Sequence, residues 1–203
     1  LGDVYKRQFQ YYADDLAETF GIGGVSTVVS LACASGLAVV DTGLQLLQTT
    51  ETVVCAAVDE LTLYSYAGLN ALRALSRGKI RPFSKNRAGT QFGEGAGAVI
   101  VEKGESAAAR NARPLAVVKA VFLNNDAYHT TAPETEGNGI AAVMEGVFAH
   151  SDVEKQQVTY INAHGTSTPY NDKVESRAIR RVLGDAADKV MVSSTKSMPV
   201  SYT

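Results

Sequence analysis

Three side chains in this sequence have the type and setting that chemistry needs. Cys33 stands in Leu31-Ala32-Cys33-Ala34-Ser35-Gly36, between a β-branched apolar run and an amphipathic stretch. A thiol at the start of a helix feels the positive end of the peptide dipoles, which favours the nucleophilic thiolate. Its small neighbours leave room for a substrate, and the same strand–turn–helix logic exposes the nucleophile of serine hydrolases. The plain alternative is a buried core cysteine, and that is how Cys55, inside Val53-Val54-Cys55-Ala56-Ala57, reads. His164 follows a β-rich run and precedes Gly165-Thr166-Ser167-Thr168-Pro169. That is the end of a strand at which α/β folds bind ligands; the alternative is a loop histidine bonded to its own turn. Lys196, in Ser193-Ser194-Thr195-Lys196-Ser197-Met198, follows the last strand and alone says little.

Other segments read more structurally. Asp172 and Glu175 fit a helix N-cap with an acidic residue three positions on, so any part in chemistry is indirect. Gly93-Glu94-Gly95-Ala96-Gly97 is followed by an apolar strand rather than a helix, which excludes a phosphate cradle. Its glycines are expected to let that strand approach another backbone. Arg81-Pro82-Phe83, with Lys85, Arg87 and Gly89 beyond it, reads as a solvated turn. Asp126-Ala127-Tyr128-His129 ends a strand, as a pocket rim or a plain loop. His150 closes a helix, where it suits the dipole.

The elements that must carry these residues alternate. Helices are expected over Tyr12–Phe20, with Gly21 as the stop, and over Ser35–Gln48, with Leu37, Val40, Leu44 and Leu47 on one face. Further helices are expected over Tyr64–Leu75, Asn138–His150 and Asp172–Leu183. Strands are expected over Val25–Leu31, Thr52–Val58, Ala96–Glu102, Leu115–Leu123, Val158–Ala163 and Lys189–Ser193. This is an α/β layered pattern with sheets covered on both faces. The 203 residues suffice for a sizeable core. Nineteen basic against twenty-one acidic residues leave a net charge of −2, so no basic surplus drives binding to nucleic acid or an anionic membrane. The uncharged stretch from Glu18 to Asp41 is too rich in Gly, Ser and Thr for a bilayer helix. Two cysteines and three histidines at these spacings make no disulfide framework and no zinc site, and fit a cytoplasmic protein.

Taken together and in order, six of these segments resemble the β-ketoacyl-acyl-carrier-protein synthases, most of all the elongating type II enzymes. They are Ala32–Gly36, Arg81–Gly89, Gly93–Gly97, Asp126–His129 with Thr131 and Pro133, Asn162–Pro169 with Asp172 and Glu175, and Ser193–Met198. The resemblance implies a thiolase-like fold: two related α/β halves in five layers, αβαβα, usually a homodimer. It makes Cys33 the acylated nucleophile, His164 the first of two catalytic histidines and Lys196 the lysine of the charge network. Glu175 is the carboxylate partner of that lysine, with Asp172 nearby. Thr166 and Thr168 line the pantetheine channel, and His129 and Thr131 its rim. The implied partner is an acyl carrier protein, whose phosphopantetheine carries the substrates; no metal or dissociable cofactor is required. Docking an acidic carrier needs a local basic patch, for which Arg73, Arg77 and Lys79 are candidates.

The departures set further expectations. The family places Thr-Gly-His after Lys-Ser-Met, whereas here Ser201 stands where the second histidine belongs. The family is about twice as long, with strands before the nucleophile and a glycine-rich loop near its C-terminus. Residues 1–8 and 199–203 resemble translated adapter sequence. The expectation is a gene fragment truncated at both ends and inactive as it stands. Residues 9–105 would end the nucleophile-bearing half, and 106–198 would begin the half bearing His and Lys. Competing readings are a catalytically silent, chain-length-setting partner subunit, a thiolase acting on coenzyme A thioesters, and a papain-like Cys–His hydrolase. Retention of Cys33 counts against the first, the His164–Thr168 segment against the second, and the missing papain-type signature around the cysteine against the third.

Overall fold

The computed structural model describes residues 2–198. Residue 1 and residues 199–203, Ser201 among them, lie outside the described residues. The chain divides into two units: Leu1–Ala57 with Ala98–Ala112, and Val58–Gly97 with Arg113–Thr203.

The first unit opens with helix α1, Gly2–Phe20, which starts well before the expected Tyr12. Gly21 ends it as expected. At φ +62° it turns left-handed, its N–H reaches Glu18 O at 3.3 Å and that of Ile22 reaches Ala17 O at 2.8 Å. This is the paired-bond stop that glycine permits at low cost. The expected strand over Val25–Leu31 is absent: Val25, Val28 and Leu31 are exposed, and no ladder forms there among the described residues. A single 3-10 turn, Ala32–Ala34, leads into helix α2, Ser35–Leu46. The buried stripe of α2 runs through Ala38 and Gly43 toward Leu47, not through Leu37, which is 67% exposed. Small residues occupy this face because α2 lies close on strand β1, Thr52–Asp59. A Cβ on Gly43 would sit 2.4 Å from Cys55 Sγ, so no other residue fits there. Cys55 is buried as expected, and burial raises its thiol pKa. Strand β2, Gly95–Glu102, pairs with β1 in a two-stranded sheet. Val99 and Ile100 stay exposed, contrary to the expectation of a sheet covered on both faces. Gly97 has open space where its Cβ would be, so it does not serve close packing as expected. A short helix α4, Gly104–Ala109, was not expected; Lys103 and Ser106 tie it to Glu51.

The second unit holds helix α3, Leu63–Ala71, capped by Thr62 Oγ1 on Ser65 N at 3.1 Å. It ends before the expected Leu75, and Arg73 adopts φ +53°. The expected strand over Leu115–Leu123 forms no ladder among the described residues, and Leu115 is fully exposed. Helix α5, Asn138–Ala149, packs on helix α6, Pro169–Leu183. Ala141, Ala178 and Val182 are buried between them, flanked by Ile140, Met144 and Phe148. His150 caps α5, with Nδ1 2.8 Å from Gly146 O. The buried face of α6, with Val174, Ala178 and Val182 four apart, is the period of an amphipathic helix. Asp172 lies in the first turn and Arg180 and Arg181 in the last, as the helix dipole favours. Strands β3, Tyr160–Asn162, and β4, Met191–Ser193, pair in parallel with Ile161 opposite Val192. Parallel neighbours require a crossover, and α6 supplies it. No helix among the described residues is long and apolar enough to cross a membrane.

Candidate active site

The parallel register has a direct consequence. Asn162 pairs with Ser193, so the residues that leave β3 and β4 emerge at the same edge. His164 follows β3 and Lys196 follows β4, at the carboxyl ends where open α/β sheets bind ligands. Ala163 N donates to Ser193 O at 2.8 Å and extends the pairing to the start of the His164 loop. Ser194 is buried and joins the two loops. Its Oγ donates to His164 O at 3.2 Å and accepts from Lys196 N at 3.3 Å. Gly165, at φ +44°, lies so close that a Cβ there would sit 2.4 Å from Ser194 Cβ and 3.0 Å from Phe83 Cε2. Only glycine meets both the conformation and the contact.

Two buried carboxylates hold this loop from below. Glu175 Oε1 accepts from His164 N at 2.7 Å, and Oε2 from Gly165 N at 2.9 Å and Asn171 Nδ2 at 3.1 Å. Asp172 Oδ1 accepts from Ser167 N at 3.1 Å, and Oδ2 from Phe83 N at 2.7 Å. The expected N-cap is therefore corrected: α6 starts at Pro169, behind Thr168, and Asp172 lies one turn inside it. Its side chain serves two loops instead of its own helix end. Both carboxylates are spent on N–H donors, and among the described residues Lys196 makes no ion pair within 4.0 Å. Lys196 still acts on His164 at longer range. Burial first, and the Lys196 charge second, push the imidazole below its ordinary value, while Glu175 and Asp172 oppose them.

The Arg81–Gly89 segment is not the solvated turn expected of it. Arg81 N donates to Ser167 Oγ at 2.8 Å, Gly89 N to Ser167 O at 3.0 Å, and Arg87 Nε to Thr168 O at 3.1 Å. Ser167, Phe83, Arg87 and Ser194 are thus structural members of the site; they lie in the segments that carry the family resemblance, but no role for them is legible in the sequence. Ser167 and Phe83 adopt left-handed backbone, at φ +65° and +62°. Thr166 and Thr168 face each other with hydroxyls 2.8 Å apart. His129 Nδ1 accepts from Thr131 N at 3.1 Å and Ala132 N at 3.2 Å, so these bonds stay within their own loop.

Cys33 belongs to the first unit and is exposed. It sits in the 3-10 turn just before α2, preceded by Ala32 at φ +48°. A left-handed alanine costs about 1–2 kcal/mol. Ser35 Oγ offsets part of that by accepting from Leu31 N at 2.8 Å and donating to Ala32 O at 2.7 Å.

The first unit thus presents an exposed thiol on a braced turn, and the second a histidine and a lysine after the ends of two parallel strands, the architecture of an α/β protein. Comparison with known proteins gives the family. Residues 5–107 match Beta-ketoacyl synthase, N-terminal domain, and residues 115–199 match Beta-ketoacyl synthase, C-terminal domain. The chain belongs to the β-ketoacyl synthase family. It is 39% identical over 191 residues to 3-oxoacyl-(acyl-carrier-protein) synthase 2 of Synechocystis sp., covering 90% of this chain and 46% of that protein. The Vibrio cholerae protein of the same name is 37% identical over 196 residues, covering 92% and 47%. The chain spans about half the length of the curated relatives it matches. Among solved structures, a ketosynthase in complex with its type II polyketide acyl-carrier protein is similar at TM-score 0.90 and 30% identity, covering 94% of this chain and 49% of that one. The ishigamide ketosynthase/chain length factor is similar at TM-score 0.87 and 34% identity, covering 94% and 47%. The fold is accordingly part of the layered thiolase-like α/β fold, as expected.

Proposed function

We propose that the protein containing this chain is an acyltransferase, a 3-oxoacyl-acyl-carrier-protein synthase of fatty acid or polyketide-type biosynthesis. The observation that carries the reading is that the His164 and Lys196 loops leave the ends of β3 and β4 together, joined through Ser194. In the first step the Cys33 thiolate attacks an acyl thioester on carrier-protein phosphopantetheine. The acyl–sulfur bond re-forms on Cys33 and the pantetheine thiolate leaves, taking up a proton. In the second, malonyl-carrier protein loses CO2, and the electron pair of the broken C–C bond passes into an enolate. The His164 N–H donates to the enolate oxygen, which is stabilisation of charge where it develops. The enolate carbon then attacks the acyl-Cys33 carbonyl, the C–S bond breaks, Cys33 leaves as thiolate, and a 3-ketoacyl-carrier protein is released.

In this reading Thr166 and Thr168 contact the pantetheine, His129 and Thr131 form its rim, and Glu175 and Asp172 position the His164 loop. Residues 9–105 contribute to the half bearing the nucleophile and 106–198 to the half bearing His164 and Lys196. The protein acts in the cytoplasm, as a homodimer or a related heterodimer, with an acyl carrier protein as partner. The exposed Arg73, Arg77 and Lys79 offer positive charge to an acidic carrier. Likeness to a ketosynthase/chain length factor structure keeps a silent partner subunit as the second reading, and Cys33 separates the two. Incubation with acyl-carrier thioester should add one acyl mass to the protein, and Cys33→Ala should abolish it. Equal acylation of the variant overturns the nucleophile; no acylation of either favours the silent subunit.

A further inference from the structure

We propose that Arg87 is a positioning residue for His164, and that the Arg81–Gly89 loop is the clamp through which it acts. This rests on the ketosynthase reading above. The Arg87 guanidinium donates to three backbone carbonyls: Ser84 O at 2.9 Å, Thr168 O at 3.1 Å and Pro169 O at 2.9 Å. Among the described residues it has no carboxylate within 4.0 Å. Thr168 and Pro169 are the N-cap and first residue of α6. A cation there opposes the helix dipole, so helix stability does not explain it. What the contact does is fasten its own loop to the segment that follows His164. Four further bonds complete the fastening. Arg81 N and Gly89 N hold Ser167 Oγ and O, and Phe83 N and Ser167 N converge on the buried Asp172 carboxylate. Phe83 then lies against Gly165, the residue next to His164. The donors of Arg81, Phe83, Arg87 and Gly89 that reach Ser167, Thr168, Pro169 and Asp172 come from more than 75 positions earlier in the chain. The imidazole's place therefore depends on the clamp as well as on Glu175.

Arg87→Gln keeps much of the side chain's reach but cannot span three carbonyls, and Arg87→Lys keeps the charge without the planar fork. A misplacement near 1 Å at a reacting group costs on the order of 100-fold in rate. Arg87→Gln should thus lower malonyl decarboxylation and condensation at least about tenfold more than it lowers Cys33 acylation, with Arg87→Lys recovering only part. By NMR, the His164 imidazole midpoint should rise toward the ordinary histidine value in Arg87→Gln, because a displaced ring loses part of the burial and of the Lys196 charge that lower it; Lys196, Glu175 and Asp172 are themselves unchanged. Should the arginine variants not fold, Ser167→Ala removes the acceptor for Arg81 N and should give the same signs with smaller size. Equal losses in both half-reactions with an unmoved His164 midpoint would overturn the clamp. If the wild-type protein neither acylates nor condenses, the ketosynthase reading fails, and a His164 midpoint that moves still supports the clamp while an unmoved one overturns it.

Discussion

The Cys33 turn and the His164 loop are built in opposite ways. Around Cys33 the bracing is local: Ser35 Oγ bonds to residues three and four positions away, and the strain at Ala32 is carried within the same turn. Around His164 the bracing is remote. Its backbone is held by Glu175 eleven positions on, by Ser194 thirty positions on, and through Ser167 and Asp172 by residues 86 and 89 positions away. The thiol is exposed, and the supports of the histidine are buried. The difference fits the proposed roles: a nucleophile must be reached by a substrate and tolerates a self-contained mount, whereas a hydrogen-bond donor must be aimed, and aim comes from a rigid surround.

This contrast is open to direct test. The largest effect on stability is expected at Glu175. Glu175→Ala leaves the buried Gly165 N–H and the part-buried His164 N–H without partners, at about 1–3 kcal/mol for the buried one and less for the other. Thermal unfolding should fall sharply, and condensation with it. Ser35→Ala removes two exposed local bonds and should cost about 1 kcal/mol. Its effect should be read mainly in the rate of Cys33 acylation. If Ser35→Ala destabilises as much as Glu175→Ala, the distinction between local and remote bracing is wrong.

The smallest expected effect is on pH dependence. The folded state holds His164 below its unfolded value, so between the two values the unfolded chain binds more protons. Stability is then complete above the ordinary histidine range and declines as pH falls through it toward the folded value. Wild type should lose more stability than His164→Gln on going from pH 8 to pH 5. A larger loss in the variant would mean the sign is reversed.

How much of this was readable without coordinates differs from element to element. The helices expected over 35–48, 138–150 and 172–183 are present with ends shifted by one to three residues, and Gly21 is legible as a stop by its place after an apolar turn. The runs 25–31 and 115–123 carry the same β-branched signal as true strands. β-propensity, however, describes fitness for a pleated surface, and a ladder needs a partner as well. Asp172 resembles a cap in sequence because an acidic residue in a first turn has the same signature wherever that turn begins. Pro169, suited to the first helical position, was the clue to the true start.

Residue types and their order are enough to point to the family and to offer Cys33, His164 and Lys196 as candidates, because chemistry depends on functional groups and on the turns that present them. They are not enough to show that Arg81–Gly89 is a clamp, that Asp172 serves two loops, or that Glu175 spends its oxygens on the histidine's own backbone. Those bonds join main-chain N–H groups, which every residue type but proline carries, across tens of positions. A backbone donor leaves no mark in a sequence, so its acceptor is known only when the chain has folded around it.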